Sequence, residues 1–233
     1  MDKMLETLTA GAQAMGLQLS EQTCRTLCDF GNAVVEQNKV MNLTAITEPE
    51  AVAKLHLLDS VSILKCVNLA GKRLIDVGCG AGFPGVPLKI ACPEVELTLL
   101  DSLGKRMNWL AATLPALGLE AQYITARAEE AAANARESYD FASSRAVARL
   151  NVLLELTAPF VKVGGAVLAM KGSAAAEELE EAKNAISKLG LKLESVHHFP
   201  VDGADHAVIV LRKVKPTPAQ YPRRYAKIKQ FPL

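Results

Sequence analysis

Residues 76 to 85 read Asp76-Val77-Gly78-Cys79-Gly80-Ala81-Gly82-Phe83-Pro84-Gly85. Alternating glycines permit a tight turn and let a ligand approach the backbone, and a helix that follows aims its N–H groups at it. Such a loop suits a nucleotide-type cofactor. Gly80-x-Gly82-x-x-Gly85 has the dinucleotide spacing, while Asp76-x-Gly78-x-Gly80-x-Gly82 has the spacing of methyl-donor loops. Three neighbours separate the two. Asp101, about twenty residues on, ends a second expected strand, where a carboxylate can accept both ribose hydroxyls. Asp76 stands before the glycines, where it can hold a cationic amino group directly or through water. S-adenosylmethionine carries such a group in its methionine half, and NAD has none near this loop. Pro84 removes an N–H that a pyrophosphate would use. The predicted cofactor is S-adenosylmethionine. The competing readings are a nicotinamide-dependent oxidoreductase and a nucleotide-sensing RNA-binding module without catalysis.

The elements around the loop alternate. Residues 1–70 read as a helical cap: Ser20 is an N-cap, Leu27, Phe30, Val34 and Val35 follow at helical spacing, and Thr47 with Glu50 has the spacing of a capping box around Pro49. In the helix that follows, to about Cys66, His56, Asp59 and Ser60 share a face at i, i+3 and i+4. From Arg73, short strands and helices alternate: strands over 73–78, 95–101, 121–126, 139–143 and 165–170, with helices over 84–91, 104–117, 150–161 and 174–189 and a short Ala/Glu-rich helix after 126. Two further strands, 191–199 and 206–214, are joined at Asp202-Gly203 without a helix. This pattern predicts an α/β fold, a Rossmann-like, doubly wound, mostly parallel sheet of seven strands with one antiparallel strand at that edge. The core spans residues 71–215, and 216–233 form a basic C-terminal tail.

Half of the 233 residues are hydrophobic and 22% are charged, which suits a single core. No apolar run is long enough for a membrane span, and the start of the chain has no basic region before an apolar stretch, so a cytoplasmic protein is expected. The five cysteines and four histidines show no metal-ligand or disulfide spacing, so no metal is expected. The net charge of +1 is uneven: Arg212, Lys213, Lys215, Arg223, Arg224, Lys227 and Lys229 follow the last acidic residue, Asp205. A basic end on an acidic body points to a polyanionic partner.

The loop together with Val86-Pro87-Leu88 resembles that of the bacterial small-subunit ribosomal RNA methyltransferase G family, class I enzymes that methylate guanine N7 in 16S rRNA. The resemblance recurs at Asn42-Leu43-Thr44-Ala45-Ile46, His56-Leu57-Leu58-Asp59-Ser60, Leu100-Asp101-Ser102-Leu103-Gly104-Lys105-Arg106, Arg127-Ala128-Glu129-Glu130, Ser144-Arg145-Ala146, Lys171-Gly172 and Tyr221-Pro222-Arg223. It implies that Gly78 and Phe83 lie at the methionine part of the cofactor, Asp101 at the ribose, Ala128 and Glu129 at the adenine, and Arg145 at the cofactor and target. The implied partner is 16S rRNA or the small ribosomal subunit, bound by a monomer.

Guanine N7 has an in-plane lone pair and no proton, so its methylation requires orientation and charge management but no general base. Arg145, at a strand's carboxyl end, can hold guanine O6 or a phosphate. Lys105, Arg106, Lys171, Arg223 and Arg224 are the expected RNA contacts. His56 is expected to help close the cap over the cofactor, and Met107 and Trp109 to pack in the core.

Overall fold

The computed structural model describes residues 2–201 and 203–233; Asp202, in the expected final turn, lies outside the described residues. The chain opens with helices α1 (Lys3–Ala14) and α2 (Glu21–Asn38). Ser20 caps α2 as expected, its Oγ accepting the Thr23 N–H at 3.1 Å. The Thr47/Glu50 box does not form. Helix α3 (Pro49–Val52) has Glu48 at its N-cap position without a side-chain cap, because Pro49 takes the first helical position and moves the start one residue on. The run then continues through a π-helical stretch, Ala53–Leu58, α4 (Asp59–Val61) and a 3-10 turn, Ser62–Lys65.

The sheet contains β1 (Arg73–Val77), β2 (Glu96–Asp101), β3 (Gln122–Thr125), β4 (Tyr139–Arg145), β5 (Val161–Lys171), β6 (Leu191–Val201) and β7 (Ala204–Lys213). Between and after the strands come α5 (Gly85–Ala91), α6 (Gly104–Thr113), α7 (Ala128–Ala131), α8 (Leu150–Thr157), α9 (Ala175–Glu181), α10 (Lys183–Lys188) and α11 (Tyr225–Gln230). The seven strands lie in the order β3-β2-β1-β4-β5-β7-β6. The first five pair in parallel, and β7 runs antiparallel to both β5 and β6 at one edge. Strand order reverses between β1 and β4, so the crevice beyond their carboxyl ends is where a doubly wound sheet binds its ligand.

Strand alternation divides the core. Leu74, Leu99, Leu168 and Val210 face α1, α2 and α5, together with Leu8, Phe30 and Leu57 of the N-terminal helices. Ile75, Val77, Ala169 and Ile209 face α8 and α10. The N-terminal helices therefore share a core with one face of the sheet. Met107 is buried and Trp109 half-buried against the same cluster.

The segment after β7 also packs closely. Tyr221 and Ile228 are buried, and the Arg136 guanidinium donates to the carbonyls of Thr217, Pro218 and Tyr221. Residues that read as a basic tail are held through their backbone carbonyls by Arg136 and by an apolar seat, a pattern that charge along the sequence does not reveal.

Candidate active site

The loop is built from inside. Asp76 is fully buried in β1; its Oδ2 accepts the Gly85 N–H at 2.8 Å and its Oδ1 accepts the Ser143 hydroxyl of neighbouring β4 at 3.1 Å. Burial pushes its carboxyl up to about 7. Its expected hold on a cofactor amino group is not what the geometry offers, because the carboxylate faces the loop's own backbone. Gly85 is glycine for the same reason: a Cβ there would lie 2.8 Å from Asp76 Oδ2. Asp101 ends β2, mostly buried, and braces the other side, with Oδ2 accepting the Gly80 N–H at 3.0 Å and Oδ1 the Leu103 N–H at 2.8 Å. Each oxygen retains a second lone pair.

A cavity of about 760 Å³ opens over the loop and the ends of β4 and β5. Phe83 is part of its lining. The His56 ring stacks on Phe83 with centroids 4.7 Å apart, and the Arg145 guanidinium carbon sits 5.0 Å from the Phe83 centroid. Arg145 Nη1 donates to the Leu55 carbonyl at 2.8 Å and to Asp59 Oδ2 at 3.0 Å. Leu55 lies in the π-helical stretch, where widened winding changes which carbonyls the helix itself uses. Asp59 Oδ1 faces His206 Nδ1 at 2.9 Å, so the buried carboxylate stands between the Arg145 guanidinium and the His206 ring; its hydrogen bond, against the opposing effect of burial, raises the His206 pKa.

The tautomer of His56 follows from donor counting. Arg145 Nη2 lies 3.1 Å from His56 Nδ1 and can only donate, so Nδ1 accepts. The proton then resides on Nε2 and is donated to Thr44 Oγ1 at 2.7 Å. The 3.1 Å approach of Nδ1 to the Leu55 carbonyl carries no proton in this arrangement. Burial, with the Arg145 charge behind it, lowers the His56 pKa to about 4, in accord with a neutral ring.

Gly80, Phe83, Arg145 and Lys171 meet at the cavity, while Asp76, Gly78, Gly82, Asp101, Ala128 and Glu129 lie outside its lining. Gly78 has φ +71, and a Cβ there would fall 2.5 Å from Val147 Cγ2. Val147, in the segment after β4, thus covers Gly78, and it packs with Ala128 and Tyr225 beside α8.

Two of the expected RNA contacts are committed inside the protein. Lys171 is mostly buried, its Nζ donating to the Ala148 carbonyl at 2.5 Å and pairing with Glu178 at 2.7 Å. Arg223 forms a two-pronged pair with fully buried Glu155, Nε to Oε1 at 2.8 Å and Nη2 to Oε2 at 2.6 Å. Neither cation presents a free head to a phosphate; a carboxylate captures each, half-buried Glu178 for Lys171 and fully buried Glu155 for Arg223. Lys105 and Arg224 are exposed, and Arg106 reaches the Asn42 carbonyl at 3.4 Å beside Gly80. Thr44, Glu178 and His206, which line the cavity, were not singled out by spacing; each arrives from a different element. Among the described residues no group of His, Cys, Asp or Glu could hold a metal ion, and no helix is long and apolar enough to cross a membrane.

Residues 23–207 match the family described as rRNA small subunit methyltransferase G. The chain belongs to that family. The enzyme is 43% identical over 223 residues to the ribosomal RNA small subunit methyltransferase G of Alkaliphilus metalliredigens, covering 93% of each chain. It is 43% identical over 239 residues to the protein of that name from Pelotomaculum thermopropionicum, covering both completely. Solved structures share the fold at lower identity. A putative methyltransferase from Bacillus halodurans matches with TM-score 0.56 and 14% identity, over 67% of this chain and 99% of that one. TYW2 of M. jannaschii, solved in complex with AdoMet, matches with TM-score 0.54 and 16% identity, over 67% and 77%. The enzyme is an S-adenosylmethionine-dependent rRNA methyltransferase with a Rossmann-like fold, and neither the oxidoreductase nor the non-catalytic reading is retained.

Proposed function

We propose that the enzyme methylates N7 of a guanine in 16S rRNA of the small ribosomal subunit, in the cytoplasm, without a covalent enzyme intermediate. The observation that carries this reading is a cavity whose two imidazoles are both engaged: His56 is a neutral ring held at both nitrogens by Arg145 and Thr44, and His206 Nδ1 lies 2.9 Å from Asp59. N7 carries no proton to lose, so such a cavity suits it without either ring acting as a base. Cys79 offers no nucleophile either, since burial raises its thiol well above the ordinary range.

S-adenosylmethionine supplies an electrophilic methyl group: the N7 lone pair bonds to it as the carbon–sulfur bond breaks, the electron pair returns to sulfur, and no proton moves. The glycine loop, braced by Asp76 and Asp101, fits such a donor because its backbone is bare where side chains would collide. Arg145, pinned by Asp59 and Leu55, keeps unused N–H donors for a carboxylate or for guanine O6. Phe83 gives the reacting groups an apolar, water-excluding floor. Gly78, Gly80, Gly82 and Phe83 toward the methionine part, Asp101 toward the ribose and Ala128 with Glu129 toward the adenine complete the proposed cofactor site. Lys105, Arg106 and Arg224 are the proposed phosphate contacts.

The test is transfer of labelled methyl from S-adenosylmethionine to small subunits from cells lacking this protein, followed by mapping of the modified nucleoside. Label in 7-methylguanosine of 16S rRNA is the expected result, and label in any other nucleoside would remove the assignment.

A further inference from the structure

Two carboxylates line the cavity, those of Asp59 and Glu178. Asp59 is committed at both oxygens, to His206 and to Arg145. Glu178, on α9 just beyond β5, is committed at one. Its Oε2 accepts the Leu150 N–H at the start of α8 and pairs with the Lys171 ammonium, both at 2.7 Å. Among the described residues Oε1 has no hydrogen-bond partner. No buried side-chain oxygen among those residues is left unpaired, so Oε1 is accessible, on a side chain that lines the cavity.

An acceptor held there distinguishes the bases. Guanine presents N1–H and the N2 amino group side by side on its Watson–Crick edge, and one carboxylate oxygen can accept from both. Adenine and cytosine turn a ring-nitrogen acceptor toward it, and uracil flanks its single N–H with two carbonyls. N7 lies on the opposite side of the purine, so a guanine held by its Watson–Crick edge keeps N7 free for the methyl group. RNA bases that enter an enzyme pocket are commonly read along this edge.

We propose that Glu178 selects the target base, its Oε1 accepting N1–H and N2–H of guanine while Oε2 remains with Leu150 and Lys171. This rests on the guanine-N7 reading above. Lys171 is then a positioning residue: its ammonium fixes the carboxylate rather than a phosphate.

Glu178→Gln tests the assignment. The Leu150 N–H and the Lys171 ammonium both require an acceptor, so the amide oxygen takes the place of Oε2 and the amide NH2 turns to the cavity. A donor then opposes guanine's donors. The expected result is a drop in kcat/KM of about tenfold to hundredfold on unmodified small subunits, with S-adenosylhomocysteine affinity and melting temperature near those of the parent protein.

A second measurement uses no variant. Small subunits rebuilt with inosine at the mapped target position lack only the N2 amino group; the parent enzyme should lose about tenfold on them, and Glu178→Gln should show little further loss. Parent activity equal on guanine and inosine, or Glu178→Gln with unchanged kcat/KM, would overturn the role of Glu178 and leave guanine-N7 methylation standing. Methyl transfer by the parent enzyme to another base would overturn both.

Discussion

The Arg145 guanidinium carbon lies over the Phe83 ring, 5.0 Å from its centroid, at the junction of the glycine loop and β4. The contact joins the proposed cofactor loop to the strand that carries the proposed target-positioning residue. Phe83→Leu keeps the apolar volume and removes the ring, so it should weaken S-adenosylhomocysteine binding by about fivefold, the worth of a partly desolvated cation–π contact. Calorimetric titration reads this directly. Arg145→Lys should cost more, because a lysine cannot reproduce the three hydrogen bonds to Leu55, Asp59 and His56. Equal affinity of Arg145→Lys and the parent would mean that the guanidinium plane does not organise this site.

The His56–Thr44 hydrogen bond makes a prediction about protonation. His56 should remain the neutral Nε2–H tautomer down to about pH 4, where Arg145 and burial finally allow it to charge. Long-range proton–nitrogen NMR distinguishes the tautomers, and a ring that titrates near pH 6.5 would contradict the arrangement. Thr44→Val leaves the Nε2 proton without its acceptor in a mostly buried place, at a cost of about 1–3 kcal/mol in urea unfolding.

Asp76 should make stability depend on pH in an unusual direction. Its folded pKa, about 7, lies above the 3.8 of an ordinary aspartate. Between these values the folded state keeps a proton that the unfolded chain has released, so this residue's contribution to stability falls as pH rises from about 4 to about 7. His56 acts oppositely: its folded pKa is lowered to about 4, and its contribution rises between that value and 6.5. Comparing the parent with Asp76→Asn cancels the His56 part. The stability of the parent minus that of the variant should decline across the window by up to about 4 kcal/mol. A pH-independent difference would mean that Asp76 is ionised throughout.

Much of this was legible in the sequence, and the reasons are specific. β1 and β5 announce themselves because a central parallel strand is apolar on both faces, and Gly118 and Gly190 mark helix ends because their φ values, +69 and +75, favour glycine. Asp76 was found as a residue but not in its role, since the 2.8 Å contact with Gly85 depends on how the loop folds back across nine residues. The π-helical stretch at Ala53–Leu58 leaves no sequence period of its own, and it sets the Leu55 carbonyl where Arg145 binds it. The Arg145–Asp59–His206 chain joins residues from β4, α4 and β7, and no local spacing records such a meeting. The basic end was read as one electrostatic unit, whereas Glu155 divides it into an anchor and an exposed remainder.

That division gives the final prediction. Arg223 and Arg224 are adjacent in sequence, but Arg223 is bound to fully buried Glu155 while Arg224 is exposed at the start of α11. Removing Arg223 strands a buried carboxylate, so Arg223→Ala should destabilise the enzyme by about 3–5 kcal/mol and weaken cofactor and RNA binding together as the α11 seat loosens. Arg224→Ala, with Lys227→Ala and Lys229→Ala, should leave the melting temperature within a few degrees and weaken RNA binding alone. If these three side chains meet phosphates, the log–log dependence of RNA affinity on salt should become shallower by roughly 0.7–0.9 for each phosphate no longer neutralised. Deleting everything after Val214 cannot separate the two effects, because it also removes buried Tyr221 and Ile228. The decisive comparison is therefore between neighbouring point variants: an Arg223→Ala protein of normal stability and reduced salt slope would return Arg223 to the RNA surface.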